Sequence, residues 1–253
     1  MGALFNRTHK HITSIEPDSV IVEIGSDFGV QHGLEGGEGS TLYFAELAEK
    51  YDIILHTVDI NNFADRTVNH ASIRWHQSIG SSWAKDIYPT IDKKISMLYL
   101  DNYYFNPNSK LNQSPNEYII SCIWTADVYN QLKGADWPNR FVTWHLLSES
   151  IRHEVMTDYP DVYAKLSYDG EANYNQHGLT ELSNNNCQIE HFTQLYYLYN
   201  WLSDDCVVVF DDTFRYNDCW IGKNGTGVVF LQLMGFIIVE ENSTGVILKR
   251  GKQ

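Results

Sequence analysis

Apolar residues in this chain come in short runs that end on glycine or aspartate. Val20-Ile-Val-Glu-Ile24 closes at Gly25, Ile53 to Val58 at Asp59, and Ile95-Ser-Met-Leu-Tyr-Leu100 at Asp101. Cys206-Val-Val-Val-Phe210 closes at the pair Asp211 and Asp212. Runs of this length, without strict alternation, predict strands buried on both faces. Ile73 to Trp75 predicts a shorter strand of the same kind. Between the first two strands, Ser40 to Glu49 spaces its apolar residues three and four apart and predicts a helix. Glu190 to Leu202 predicts another, ahead of the fifth strand.

Strands that alternate with helices build a parallel sheet. The tail departs from that pattern. Gly227 to Leu233 predicts a helix stopped by Gly235, and Phe236 to Val239 and Val246 to Leu248 flank Asn242-Ser-Thr-Gly245. Such a tight connection makes an antiparallel pair. The expected fold is α/β: an open, Rossmann-like, mostly parallel sheet with an antiparallel C-terminal hairpin.

One stretch is too long for that plan. Between Asp101 and Asp211 a single helix with its loops would suffice, yet residues 106–186 intervene, rich in Asn, Tyr, Trp and Pro. They read as an insertion between strands four and five that packs over the carboxyl ends of the strands, with helices at Tyr118–Lys133 and Arg140–Val155. Residues 1–253 are therefore expected to form a single domain carrying an inserted substrate-pocket or lid region. Tyr103, Tyr104, Trp124, Trp137, Tyr168 and Tyr174 offer flat walls with polar handles. Filling the core or a homo-oligomer interface is the alternative use for them.

Composition narrows the partners. Of 253 residues, 18 are Lys or Arg and 32 Asp or Glu, a formal charge of -14. A surface of that sign disfavours wrapping a nucleic-acid backbone. No run approaches the roughly 18 apolar residues of a membrane span. The first residues contain no apolar signal core, and Cys122, Cys187, Cys206 and Cys219 form no CxxC pair, so reduced thiols and a cytoplasmic location are expected.

Chemistry gathers at the predicted strand ends. Ligands of open α/β sheets bind outside the carboxyl ends of the strands, and those ends carry Gly25, Asp59, Asp101 and Asp211/Asp212. After the first strand come Gly25, Gly29, Gly33, Gly36, Gly37 and Gly39, then the helix from Ser40. Glycines let backbone approach a ligand, and the free N–H groups of the helix start face the same crevice. Asp59 can accept hydrogen bonds from two ribose hydroxyls. The set suits a dinucleotide or an adenosyl cofactor, but the spacing is not G-x-G-x-x-G.

Val22-Glu-Ile-Gly25 with Gly37-Glu-Gly-Ser-Thr41, His56-Thr-Val-Asp59, Leu98-Tyr-Leu-Asp101, Val209-Phe-Asp-Asp212 and the final Gly-Phe-Ile-Ile-Val-Glu…Gly-Val-Ile-Leu-Lys-Arg together resemble the class I S-adenosylmethionine-dependent methyltransferases. The resemblance covers about 1–101 and 187–251, and Ser26 to Gly36 extends the first loop beyond the family's usual length. It implies seven strands in the order 3-2-1-4-5-7-6. It further implies that Glu23, Gly25, Gly37, Gly39, Asp59 and Asp101 are cofactor residues, with Gln77 and Ser78 near adenine.

Asp101, Asp211 and Asp212 form an all-oxygen donor set of the kind hard divalent cations prefer. Three carboxylates together repel one another, and a cation relieves them. The pattern is similar to the metal-dependent sugar O-methyltransferases of macrolide biosynthesis and their cephalosporin-biosynthesis relatives. That likeness implies a Mg²⁺ that orients two vicinal hydroxyls of a small-molecule substrate. Alternatively, one of Asp211/Asp212 caps a turn and Asp101 only positions the cofactor. For the general base, His76, His145, His153, His177 and His191 are candidates, with His177 and His191 preferred. The expected activity is S-adenosylmethionine-dependent O-methylation. An NAD(P)-dependent oxidoreductase and a non-catalytic, methyltransferase-like binding protein are the alternatives.

Overall fold

The computed structural model describes residues 4–28, 30–31, 34–35, 39–63, 65, 70–101, 149–161, 186–216 and 219–251. Seven strands make one sheet: β1 (Val20–Ile24), β2 (Ile54–Asp59), β3 (Ile73–Gln77), β4 (Ile95–Leu100), β5 (Leu202–Asp211), β6 (Phe236–Glu241) and β7 (Gly245–Arg250). Their order across the sheet is 3-2-1-4-5-7-6. The pairs from β3 through β5 are parallel, whereas β7 runs antiparallel to both β5 and β6. The α/β fold and the reversed hairpin are those expected from the apolar runs, and the order is the one the family resemblance implies.

The two central strands are buried along their whole length, which is why they read as unbroken apolar runs. By the twofold alternation of a strand, Ile21, Leu55, Met97, Val207, Val209 and Ile247 share one face. They form a core with Phe44, Leu47 and Ala48 of helix α1 (Ser40–Tyr51) and with Leu4 and Phe5 of the N-terminal segment. The alternate set, including Val22, Ile24, Leu98, Leu100, Val208 and Phe210, is buried on the other face. A helical run from Gly80 to Ile91, of π type over Trp83–Ile87, supplies the fully buried Trp83 and Tyr88. Their rings meet edge-on at 5.2 Å.

Strand and helix limits differ from the sequence reading where polar residues join the ladder. β3 continues through His76 and Gln77, paired with Val58 and Asp59. β5 begins at Leu202, not Cys206, because Leu202 pairs with Ile95 ahead of a bulge. The preceding helix, α3 (Asn186–Leu198), therefore ends earlier than predicted, through a turn of 3-10 helix at Tyr199–Trp201. Helix α2 (Glu149–Asp158) overlaps the end of the predicted Arg140–Val155 helix and runs three residues past it. Tyr118–Lys133 lies outside the described residues.

The chain divides into two compact units. The first comprises Met1–Tyr103, Gln194–Asp211 and Gly235–Gln253 and holds all seven strands. The second comprises Tyr104–Thr193 and Asp212–Met234, so the insertion read at 106–186 is joined by the segment that follows β5. That segment folds as a two-stranded ribbon, Thr213–Tyr216 with Cys219–Gly222, and helix α4 (Gly225–Leu233). Gly225 allows the helix to start against the ribbon, since a Cβ there would lie 2.6 Å from the Trp220 carbonyl oxygen. Phe230 of α4 meets Phe192 edge-on at 5.6 Å and Tyr159 at 6.0 Å. Among the described residues no helix is long and apolar enough to cross a membrane.

Candidate functional site

Strand β1 ends in a turn that only glycine makes without strain: Gly25 has φ +100°. Its N–H reaches the Val58 carbonyl oxygen at 2.9 Å, and the Asp101 N–H donates to Ile24 at 2.8 Å. The carboxyl ends of β1, β2 and β4 are thereby held in register. Gly39, φ +70°, stands at the start of α1. Its N–H donates to Asp27 Oδ2 at 3.2 Å, while Asp27 and Thr41 exchange two bonds at 2.8 and 2.9 Å. The base of the glycine-rich loop is closed this way. Gly37 lies outside the described residues.

Glu23 is fully enclosed. It is the single charged residue of an apolar strand, on the face that meets α1, and three hydroxyls satisfy it. Ser40 donates to Oε1, and Thr41 and Thr57 to Oε2, each at 2.7 Å. Burial pushes its pKa up to about 8, opposed by the three hydroxyl donors. Its carboxylate ties α1 and β2 to β1, a role its place in the resemblance did not reveal. Ser26, bonded to Thr57 at 2.6 Å, extends the same network. The signal for this network was a lone acid in a buried run, which requires donors. Ser40, Thr41 and Thr57 were the residues able to provide them.

Asp59 ends β2 half-buried. Its Oδ2 accepts the Ser26 N–H at 3.0 Å, and its Oδ1 accepts the Asn61 main-chain and side-chain N–H groups at 2.7 and 2.9 Å. The carboxylate is thus pre-oriented toward the first loop. Ser78 and Gln77 lie alongside: the Ser78 N–H donates to the Asp59 carbonyl at 3.0 Å, and Gln77 Nε2 to the Ile60 carbonyl at 3.1 Å. Ile60 and Ile79 flank them and are 67% and 57% exposed, an apolar edge beside a carboxylate.

The three aspartates expected to hold a metal come together. Asp101, Asp211 and Asp212 each offer a ligand oxygen, all within 4.8 Å of one another and all half-buried. Asp101 follows β4, Asp211 closes β5, and the next residue, Asp212, turns the chain with φ +45°. Tyr99 donates its hydroxyl to Asp101 Oδ2 at 3.1 Å. Burial, with Asp101 beside it, drives the Tyr99 pKa well up, so it remains a donor. Lys223, which the sequence reading passed over, places its ammonium 3.0 Å from Asp212 Oδ2.

The histidines are scattered. His191 is fully buried on α3, with Nδ1 3.1 Å from the Lys223 carbonyl oxygen. His153 is exposed on α2. His76 sits on β3 with Nε2 2.9 Å from His56 Nδ1, both lining a 380 Å³ cavity with residues such as Val20 and Ile54 at the amino ends of β1 and β2. The cavity lies at that end of the sheet, although His76 is registered with Val58, one residue short of the Asp59–Gln77 pair. His145 and His177 lie outside the described residues.

The fold and these strand ends define a Rossmann-like α/β protein with a reversed terminal hairpin and an acidic oxygen cluster suited to a hard cation. Comparison with protein-family models and with curated proteins returned no match.

Proposed function

We propose that this protein is an S-adenosylmethionine-dependent methyltransferase that methylates a hydroxyl oxygen of a small molecule, a sugar or another vicinal diol, with Mg²⁺ assistance. The observation that carries the reading is the convergence of Asp101, Asp211 and Asp212 within 4.8 Å, in a 3-2-1-4-5-7-6 sheet whose neighbouring strand ends carry Gly25 and Asp59. The donor set fits the ion, since Mg²⁺ takes oxygen ligands and keeps several waters beside a few carboxylates. The first loop fits the cofactor. Gly25 brings backbone close without a side chain, Asp59 is oriented to accept ribose hydroxyls, and Ile60 and Ile79 offer apolar surface to a flat base.

When bound, the cofactor supplies an electrophilic methyl group on a sulfonium, and the cation lowers the pKa of a coordinated hydroxyl. The chain's own residues do the rest. Asp101, Asp211 and Asp212 would hold the cation, and Tyr99 fixes Asp101. Glu23, through Thr41 and Thr57, fixes the walls of the cofactor crevice. Rate enhancement then comes chiefly from alignment of donor and acceptor. An acidified hydroxyl needs only a weak base, for which His177 stands as the candidate; His191 is fully enclosed, with Nδ1 at the Lys223 carbonyl oxygen. Calorimetric titration with S-adenosylmethionine and S-adenosylhomocysteine, with and without Mg²⁺ and with NAD(P) as the control, tests the reading. Absence of binding by either adenosyl ligand sinks it.

A further inference from the structure

Lys223 is an unusual residue to find buried. It sits between the ribbon strand Cys219–Gly222 and α4, and its side chain is 4% exposed. Enclosing a lysine costs it hydration and rotamer freedom, and such residues persist when paired with an acid. The partner is Asp212, held twice: the ammonium lies 3.0 Å from Oδ2, and the Lys223 N–H donates to the Asp212 carbonyl at 2.9 Å. The Asn224 N–H adds a bond to Thr213 Oγ1 at 3.0 Å. Together these close the corner at which Asp212 adopts its left-handed φ of +45°, a conformation uncommon for a residue with a side chain.

The charges define what this corner does. Asp212 is one of three aspartates whose ligand oxygens lie within 4.8 Å of one another, so the Lys223 ammonium sits on one of the cluster's own carboxylates. A divalent ion bound there would draw on the Asp212 carboxylate that the ammonium already holds, and two like charges on one carboxylate repel each other. We infer that Lys223 is a built-in counter-ion of the carboxylate cluster: it holds Asp212 in place in the metal-free protein and lowers the cluster's affinity for a divalent cation. The inference rests on the metal reading above and adds to it a residue that sets how readily the site fills.

The test is calorimetric titration of the full-length protein with Mn²⁺ alone, followed by thermal unfolding in EDTA and in Mn²⁺. Lys223→Met is expected to bind Mn²⁺ about tenfold more tightly than wild type, since a repelling charge is gone. It should melt earlier in EDTA, where Asp212 has lost its ammonium partner, and recover in Mn²⁺. Lys223→Arg keeps the charge and should stay within about threefold of wild type. Lys223→Gln serves as the neutral variant should the methionine variant not fold. Equal or weaker Mn²⁺ binding by a folded neutral variant overturns the inference while leaving the metal site standing. A purely structural lysine gives that result. No Mn²⁺ uptake by wild type or neutral variant overturns the metal reading and this inference with it, and loss of the heat in Asp101→Asn ties it to the cluster.

Discussion

The Thr41 hydroxyl donates to Glu23 Oε2 at 2.7 Å, and Thr41 Oγ1 in turn accepts the Asp27 N–H at 2.8 Å. One side chain at the start of α1 thus joins the buried acid of β1 to the first loop. Thr41→Val keeps shape and removes both bonds. Leaving a half-buried N–H without its acceptor and a buried carboxyl group without one of its three donors is expected to cost about 1–3 kcal/mol. Urea unfolding should show this as a lower midpoint with an unchanged slope.

Glu23 makes stability fall as pH rises. Its folded pKa of about 8 lies above the model-peptide value of 4.5. Between those values the unfolded chain has released a proton that the folded chain retains, so the native state loses ground across roughly pH 4.5 to 8. Glu23→Gln removes the titration. Its pH–stability profile should be flatter than wild type over that window, and a parallel profile would contradict the assignment.

His56 and His76 act at the other end of the scale. Burial lowers both, His56 to about 3, with His76 beside it as the next cause. The unfolded chain gains protons below about pH 6.5 that the folded chain refuses, so stability falls as pH drops from there toward 3. His56→Phe should flatten this acid limb. Because the cavity the pair lines includes the amino ends of β1 and β2, cation binding by Asp101, Asp211 and Asp212 at neutral pH should be unchanged, as calorimetry would reveal.

Asp101→Asn and Asp211→Asn should each weaken divalent-cation binding by at least about tenfold, through loss of a charged ligand from a small oxygen set. Cofactor binding should be largely retained in Asp211→Asn. Gly25→Ala should do the reverse. Forcing a side chain onto φ +100° costs on the order of 1–3 kcal/mol and closes the approach to the cofactor, while the cation site stays intact.

What the sequence disclosed follows from how each segment is buried. β1 and β4 were legible from end to end because both faces of each are enclosed. The start of β5 was not, because Ser203, Asp204 and Asp205 interrupt the apolar signal while the backbone keeps pairing. Asp59, Asp101 and Asp211 were legible because each directly follows such a strand. Glu23 was singled out as a cofactor residue, whereas its enclosure by three hydroxyls depends on α1 docking, which spacing alone does not express. Lys223 gave no signal at all: in Ile-Gly-Lys-Asn-Gly it resembles any surface turn until the fold sets it beside Asp212.

The position of β7 bears on how the protein is made. It is the last of the seven strands in the chain, yet it lies between β5 and β6 rather than at the rim. Until residues 245–250 have left the ribosome, β5 presents an unpaired, strongly apolar flank, Cys206 to Phe210, to solvent. Synthesis at roughly 5–20 residues per second makes that exposure last seconds. A nascent chain stalled or truncated before Gly245 is therefore expected to be a chaperone client and an aggregation seed, even though most of its sheet has already been translated.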